Sequence, residues 1–144
     1  MRKVMTISLV ALALMIGPTM AHAGPKGPCL ERSWIPRDMP TAEKEWRVVR
    51  LASCASAHWW PGHTRTLLDV AWRESHYNPY AANPYSSARG LYQHLATYWP
   101  GRAATFLQRD WFKVWPVPWW NARAQTIVTV MMMRNQGGAC PAWC

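Results

Sequence analysis

Apolar residues in this chain recur at helical spacing, in short segments that proline or glycine ends. Leu67, Val70 and Ala71 stand at positions i, i+3 and i+4 of one segment, the spacing of side chains that share a helix face. Asn78-Pro79 follows this segment and ends it, because a proline ring disfavours the helical region for the residue before it. No stretch shows the apolar and polar alternation of a half-buried strand. The sequence therefore predicts an all-α fold with little or no β-sheet.

Helical segments separated by loops follow from this spacing. The first is predicted to begin after Pro40 with Thr41 as its N-cap, and to end at Trp59-Trp60-Pro61-Gly62. The other predicted helices are one over 64–75, one marked by Leu91, Leu95 and Tyr98 and ended by Pro100-Gly101, a short one over 103–108, and a last one over 121–134. The stretches 77–87 and 111–120 are predicted loops.

The N-terminus has the pattern of an export signal. Arg2 and Lys3 precede an apolar run over 4–16, and Ala21-His22-Ala23 is a small-residue cleavage site. The run is shorter than a membrane-spanning helix, so no stable membrane insertion is expected. Removal of residues 1–23 predicts a secreted protein, or a periplasmic one at the cell wall.

After the signal, the chain has the size of one small domain. Residues 24–40 are rich in proline and glycine and predict an extended leader, and residues 41–144 predict a single domain, expected to be a monomer. The formal net charge of the full chain is +9. Such a charge predicts attraction to a polyanion: a cell wall, a membrane surface or nucleic acid. Export argues against nucleic acid as the partner.

The cysteines of the predicted exported part are Cys29, Cys54, Cys140 and Cys144. An oxidising compartment favours disulfides over free thiols, so two bridges are expected, in any of three connectivities. A metal site is the alternative, but the chain has no Cys-x-x-Cys and its histidines lack the spacing typical of zinc sites. No metal and no cofactor are predicted, and the histidines are interpreted as surface or groove residues.

Glu74 continues the apolar stripe of the second predicted helix, at position i+7 from Leu67. A carboxyl on an apolar face either finds a partner or keeps its proton near neutral pH, because burial disfavours the charged form. A protonated carboxyl is what a general acid needs. The alternative is a structural ion pair with Arg73, Arg89 or another base. Asp69, the nearest other acid, lies about 140° around the helix, so it cannot easily share the site.

The residues from Glu74 to Gln93 form a motif with fixed offsets. Glu74-Ser75 is followed by Asn78-Pro79, by Ala81, and by Gly90-Leu91-Tyr92-Gln93. This pattern resembles the signature of the soluble lytic transglycosylase family, which belongs to the lysozyme-like superfamily. The resemblance implies a small helical domain with a cleft, similar to goose-type lysozyme. It also implies an exported enzyme that cleaves the β-1,4 bond between N-acetylmuramic acid and N-acetylglucosamine, with peptidoglycan glycan strands as its partner.

By this resemblance Glu74 is the single catalytic acid and base. It would protonate the leaving glycosidic oxygen, and as a carboxylate it would then take the proton of the sugar's own 6-hydroxyl, which closes a 1,6-anhydro ring. An internal nucleophile that is held close can replace a second protein group. Two alternatives stay open: a lysozyme-type hydrolase, in which water attacks the same bond, and a cationic wall-binding protein without catalytic activity.

Further substrate-binding candidates come from the same resemblance. Gln93 matches the family glutamine that lines the cleft. Asn83, Ser86 or Ser87 could supply the polar residue that often precedes Gly-Leu-x-Gln in the family. Ser75 matches in type, and its hydroxyl could bond locally at the helix end.

One departure from the family pattern concerns a later Tyr-Asn-x-Gly, which reads Arg134-Asn135-Gln136-Gly137 here. Asn135 matches and is a candidate substrate contact, whereas the tyrosine near the catalytic acid is missing. Tyr92 or Tyr98 could take its place. An arginine beside Glu74 would lower the pKa of the acid.

Aromatic and basic side chains supply the last candidates. Tryptophans in or beside loops could stack on sugar rings, or fill the core of a small domain; they are Trp59, Trp60, Trp111, Trp115, Trp119 and Trp120. Arg89 and Arg102 could bind substrate carboxylates, or remain solvated surface charges.

Overall fold

The computed structural model describes residues 27–30 and 34–138. Its elements in chain order are α1 Thr41–Trp59, α2 Thr64–Ser75, β1 Ala88–Arg89, β2 His94–Leu95, α3 Trp99–Phe106, a 3-10 helix Arg109–Trp111 and α4 Ala122–Asn135. The fold is mostly helical, as the sequence predicts, with one small antiparallel hairpin. The predicted signal, residues 1–23, lies outside the described residues, as do Cys140 and Cys144.

The helices α1 and α2 form where apolar side chains recur on one face. The apolar residues that they bury are Val48, Leu51, Ala52, Ala55, Leu67, Val70 and Ala71. The predicted N-cap at Thr41 is wrong, because Thr41 is already the first helical residue. The N–H of Lys44 donates to the carbonyl of Pro40 at 2.9 Å, so the first helical hydrogen bond starts from the proline.

Helix α4 lies at the centre of the fold and is buried on almost every side. All residues from 122 to 130 are buried, and α1, α2 and α3 each pack against this helix. Asn121 caps its start, since the side-chain oxygen accepts a hydrogen bond from the N–H of Ala124 at 3.0 Å. The bounds agree with the predicted 121–134 to within a residue. Because α4 is buried on almost every side, its polar side chains must form hydrogen bonds with other groups of the protein.

The predicted helix marked by Leu91, Leu95 and Tyr98 is wrong, because the chain forms the hairpin there. Gly90 has a φ of +82° and Gln93 a φ of +49°, and residues in the left-handed region interrupt a right-handed helix. The chain turns back, and Ala88 pairs with Leu95.

Helix α3 begins where that predicted helix was expected to end. Pro100 lies in its first turn, where the missing N–H of a proline is tolerated. The short helix predicted over 103–108 is therefore the second half of α3, which ends at Phe106.

The leader is tied to the helices by covalent and hydrogen bonds. Cys29 and Cys54 form a disulfide that joins it to α1, one of the bridges that the sequence allows. Arg123 of α4 donates from Nε to the carbonyl of Pro28 at 2.9 Å. The described parts of the leader, 27–30 and 34–40, contain neither helix nor strand. None of the helices within the described residues has both the length and the apolar character needed to cross a membrane.

Candidate active site

Glu74 lies in the last turn of α2, on the side of the buried residues Leu67, Val70 and Ala71. Its side chain is half-buried. Burial raises the pKa of the carboxyl above its ordinary value, and the charge of Arg73 lowers it by a smaller amount. Within the described residues the carboxyl makes no hydrogen bond and no ion pair. The structural ion pair considered from the sequence therefore does not form in this part of the chain.

The end of α2 is held against the hairpin by Ser75. The helix stops there because His76 and Tyr77 adopt φ values of +50° and +61°. The Oγ of Ser75 lies 2.8 Å from the carbonyl oxygen of Leu91 and accepts a hydrogen bond from the N–H of Asn78 at 3.2 Å. The hydroxyl of Ser75 forms local hydrogen bonds at the helix end, as the sequence suggests. These bonds hold the end of α2, and with it Glu74, next to the loop over 77–87.

A cleft of about 350 Å³ opens at this end of α2. Among the described residues, its walls are Glu74, Asn83, Ser86, Ala88, Gln93, Leu95, Tyr98 and Arg102. These side chains come from α2, the loop over 77–87, the hairpin and α3. Glu74 is the only acid in this set, and Arg102 is its only cation. The fold thus surrounds one carboxyl with polar and aromatic groups.

Gln93 is one of the predicted substrate contacts that the fold brings to the cleft. Its φ of +49° is unusual for a residue with a side chain. The Nε2 donates to the carbonyl of Gly90 at 2.9 Å, and the residue is 6 % exposed. The amide is therefore fixed in the wall of the cleft, and its contact with substrate stays a prediction.

Asn83 and Ser86 also line the cleft, from the loop between α2 and the hairpin. The Oδ1 of Asn83 accepts a hydrogen bond from the N–H of Tyr85 at 2.8 Å, which shapes the loop. Ser87, the other serine predicted for this position, is not among the residues that line the cleft.

Besides Ser87, three predicted substrate contacts are not brought to the cleft. Tyr92 is fully buried in the hydrophobic core. Asn135 is the exposed last residue of α4 and is not part of the cleft wall. Ser75 is buried, and its hydroxyl is engaged by backbone groups. The fold therefore does not place these three residues in the cleft wall with Glu74, and their contact with substrate stays a prediction.

Tyr98 and Arg134 bear on the tyrosine that the resembled motif would place near Glu74. Tyr98, which was one of two residues suggested for it, lies in the cleft wall. Arg134 is exposed and does not line the cleft, and it is not among the causes that shift the pKa of Glu74. Ala88 and Leu95 also line the cleft. They could not be predicted as cleft residues, because the hairpin that places them has no local sequence pattern.

A buried glutamine joins the hairpin to α4. Gln125 is fully buried, and its Oε1 accepts a hydrogen bond from the N–H of Tyr92 at 2.9 Å. Its Nε2 donates to the carbonyl of Trp119. A Cβ built on Gly90 would overlap this side-chain amide. Gly90 is therefore required both for its φ of +82° and for the close approach of Gln125.

His94 is buried beneath the cleft, which corrects its interpretation as a surface or groove residue. It is 1 % exposed. Its Nε2 lies 2.9 Å from the Oγ1 of Thr129, and its Nδ1 lies 3.0 Å from the Nη1 of Arg102. A guanidinium can only donate, so Nδ1 is the acceptor and Nε2 carries the proton. Burial, together with the charge of Arg102, lowers the pKa of His94 to about 3.

Acid is expected to destabilise the fold through His94. The unfolded ring binds a proton near its ordinary pKa of 6.5, whereas the folded ring binds one only near a pKa of about 3. Below pH 6.5 the unfolded state therefore takes up a proton that the folded state excludes. Each pH unit lost in this window lowers the free energy of unfolding by about 1.4 kcal/mol.

Urea unfolding between about pH 6 and pH 4 measures this effect, because the unfolded ring is mostly protonated there and the folded ring is not. The matched variant is His94→Gln, which keeps a donor and an acceptor but has no titrating group. Its loss of stability per pH unit should be smaller than that of the wild type by about 1.4 kcal/mol. Equal slopes for the two proteins would contradict the assignment of the acid sensitivity to His94.

A second cavity, of about 570 Å³, lies between the leader and the aromatic loop over 111–120. Its walls include Trp34, Trp111 and Trp120, and no Asp or Glu is among the described residues that line it. None of the described tryptophans lines the cleft around Glu74. The smaller cleft is therefore the site that combines a carboxyl of raised pKa with converging polar groups.

Comparison of the chain with family models, with curated proteins and with solved structures returned no match. Within the described residues there is also no group of three or more His, Cys, Asp or Glu side chains placed to hold a metal ion. The proposed function therefore rests on the cleft residues and their geometry.

Proposed function

We propose that this protein is an exported peptidoglycan-cleaving enzyme of the lytic transglycosylase type, with a lysozyme-like fold and Glu74 as its single acid and base. The observation that carries the proposal is the state of Glu74: a half-buried carboxyl whose pKa is raised, and the only acid among the described residues of its cleft. The motif from Glu74 to Gln93 supports the same reaction, because it supplies most of the cleft wall.

The chemistry needs one carboxyl in two protonation states. Protonated Glu74 gives its proton to the glycosidic oxygen as the bond between that oxygen and the anomeric carbon breaks. The carboxylate that remains accepts the proton of the 6-hydroxyl of N-acetylmuramic acid, and the oxygen of this hydroxyl bonds to the anomeric carbon. Glu74 ends protonated again, one product carries a 1,6-anhydro ring, and no water is consumed.

The lone acid favours this route over hydrolysis. Glycosidases that hydrolyse generally place two carboxyl groups on either side of the scissile bond, one of them to activate water or to form a covalent intermediate. Glu74 has no such companion among the described cleft residues. An attacking hydroxyl that belongs to the substrate is held close already, and its high effective concentration replaces the second carboxyl.

The basic charge of the chain is consistent with the substrate. The full chain has a net charge of +9, to which Arg2 and Lys3 of the predicted signal contribute two. The positive charge that remains favours encounter with a polyanionic wall through long-range attraction, which salt weakens. This attraction would be shared by a wall-binding protein without activity, so the products of the reaction, and not wall binding, decide the function.

The products released from purified sacculi are expected to end in 1,6-anhydro-N-acetylmuramic acid. Mass spectrometry should find these ends lighter by one water than the reducing ends that a lysozyme makes, and borohydride should leave them unreduced. Digestion in water enriched in heavy oxygen is the control, because a transglycosylase incorporates none of the label. Labelled reducing ends would instead establish the hydrolase, and the absence of any cleavage would contradict both.

A further inference from the structure

The larger cavity, between the leader and the loop over 111–120, has an apolar mouth. Nine large apolar side chains are exposed among the described residues, and four of them line this cavity: Leu30, Trp34, Val114 and Trp120. Together these four residues form the apolar rim of the cavity. Single exposed apolar residues are normal on a folded protein, but a cluster around one cavity is typical of a surface that meets an apolar partner.

The leader side of the apolar rim is held in place by the fold. The disulfide that joins the leader to α1 lies one position before Leu30. Trp34 is followed by the buried Ile35, whose carbonyl accepts a hydrogen bond from the hydroxyl of Tyr80 at 2.8 Å. The exposed side chains therefore stand on a fixed backbone, and a partner that covers them does not have to order the chain first.

The charges among the described residues that line this cavity are positive. Lys113 and Arg123 are in its wall, whereas no Asp or Glu is. Arg123 serves the fold, because its Nη1 donates to the carbonyl of Trp111 at 2.6 Å. Lys113 is exposed, directly beside Val114 of the apolar rim. A partner that covers the rim therefore meets apolar surface with a lysine at its edge.

The surface of a bilayer with anionic lipids is complementary to this combination. Tryptophan favours the membrane interface, because its ring is apolar and its N–H can bond near the headgroups. Anionic headgroups attract lysine and, over a longer range, a chain with a net charge of +9, of which the predicted signal supplies two. Leu30 and Val114 favour acyl chains over sugar rings as the partner, since they offer no flat aromatic face.

We propose that this protein docks reversibly on membranes that contain anionic phospholipids, with the apolar rim in the interfacial region and Lys113 at the headgroups. The contact is peripheral and buries side chains of the rim without a membrane-spanning segment. None of the described residues lines both this cavity and the cleft of Glu74. The docking surface is therefore separate from the candidate active site, and the proposal does not rest on the proposed function.

Sedimentation with lipid vesicles tests the proposal, with the protein over 24–144 in every sample. Vesicles of phosphatidylglycerol and phosphatidylcholine in equal parts should retain the protein at least about tenfold better than vesicles of phosphatidylcholine alone. Salt should weaken the retention, because raising it from about 0.1 M to about 1 M shortens the Debye length from about 10 Å to about 3 Å.

The apolar rim is tested by Trp34→Ser combined with Val114→Ser. This variant should lower the partition coefficient on the anionic vesicles about tenfold, because the interface then buries less apolar area. Trp34 is 63 % and Val114 62 % exposed, so the fold should survive, which a urea unfolding curve checks. The matched control combines Trp72→Ser with Val49→Ser, the same residue types exposed outside the cavity. It should change the coefficient less than about twofold.

The charge at the edge of the rim is tested by Lys113→Gln. Its partition coefficient on the anionic vesicles should fall about fivefold, and its weak binding to phosphatidylcholine should stay the same. The control is Arg134→Gln, which removes the same charge from an exposed residue at the far end of α4. It should change the coefficient less than about twofold, because salt screens charges that are distant from the contact.

Three outcomes overturn the proposal. The first is no retention of the wild type by the anionic vesicles, and the second is an equal loss in the rim variant and in its matched control. The third is a rim variant that loses binding to purified sacculi but keeps its binding to vesicles, which would make the rim a glycan-binding surface. Vesicles contain no glycan, so none of these results depends on cleavage by Glu74.

Discussion

Replacement of Glu74 by glutamine is expected to slow the release of muropeptides from purified sacculi by at least about a hundredfold, because a positioned general acid contributes that much or more to the rate. Glutamine has almost the same shape but no acidic proton. The fold should survive, since the carboxyl makes no hydrogen bond or ion pair among the described residues. Chromatography of the released products measures the rate, and a urea unfolding curve checks the fold.

The matched control for this substitution is Asp69→Asn, on the same helix. Asp69 is exposed, forms an ion pair with Arg65 at 2.9 Å, and does not line the cleft. The change removes the same charge, so activity should stay within about twofold of the wild type, as expected for a surface ion pair. Lysis of sacculi by the Glu74→Gln protein at the wild-type rate would rule out catalysis by this acid and favour a non-enzymatic cationic protein.

The rate should also depend on pH through Glu74. The first step requires the protonated acid, so activity falls as pH rises through the pKa of Glu74, which burial raises above 4.5. Asp69→Asn should show the same profile as the wild type.

Replacement of Gly90 by alanine is expected to lower the free energy of unfolding by about 4 kcal/mol. A residue with a Cβ at a φ of +82° costs about 1–2 kcal/mol. The new methyl group would also displace Gln125, whose bonds to the backbone of Tyr92 and Trp119 are buried. Each broken buried bond adds about 1–3 kcal/mol. Urea or thermal unfolding of the purified variant measures the loss.

Gly62→Ala separates the two causes of this loss. Gly62 has a similar φ of +86°, but nothing lies within 4 Å of a Cβ built there. Gly62→Ala should therefore show only the backbone cost, about 1–2 kcal/mol. If Gly90→Ala costs no more than Gly62→Ala, the close approach of Gln125 is not what requires glycine. In a Gln125→Ala background, Gly90→Ala should lose most of its effect.

Three helices could be predicted from the sequence because their signals are local. In α1, α2 and α4, apolar residues recur at helical spacing and proline, glycine or asparagine stands at the ends. The same spacing placed Glu74 on the buried side of α2, since position on a helix face depends only on residue number. The candidate acid and the loop beside it could therefore be predicted without any tertiary contact.

The hairpin could not be predicted in this way. Leu91, Leu95 and Tyr98 have helical spacing, but Gly90 and Gln93 adopt positive φ. That backbone is stabilised by Gln125, which bonds to the turn from a helix more than 30 positions further along the chain. Such a contact produces no periodic pattern in the local sequence. The tertiary contact therefore overrides the helical spacing, and the hairpin forms instead of a helix.

By itself, the sequence determined that the chain is mostly helical, that Glu74 shares the apolar side of α2, and that Gln93 belongs to the same motif. Only the tertiary structure decided that Cys29 pairs with Cys54, that Tyr92 enters the core while Gln93 lines the cleft, and that Arg102 of the cleft wall bonds to the buried His94. The physical reason is how far apart the interacting residues are along the chain. Helix faces follow from neighbours three or four positions apart. Burial, disulfide pairing and the orientation of a charge depend on residues that come into contact only when the chain has folded.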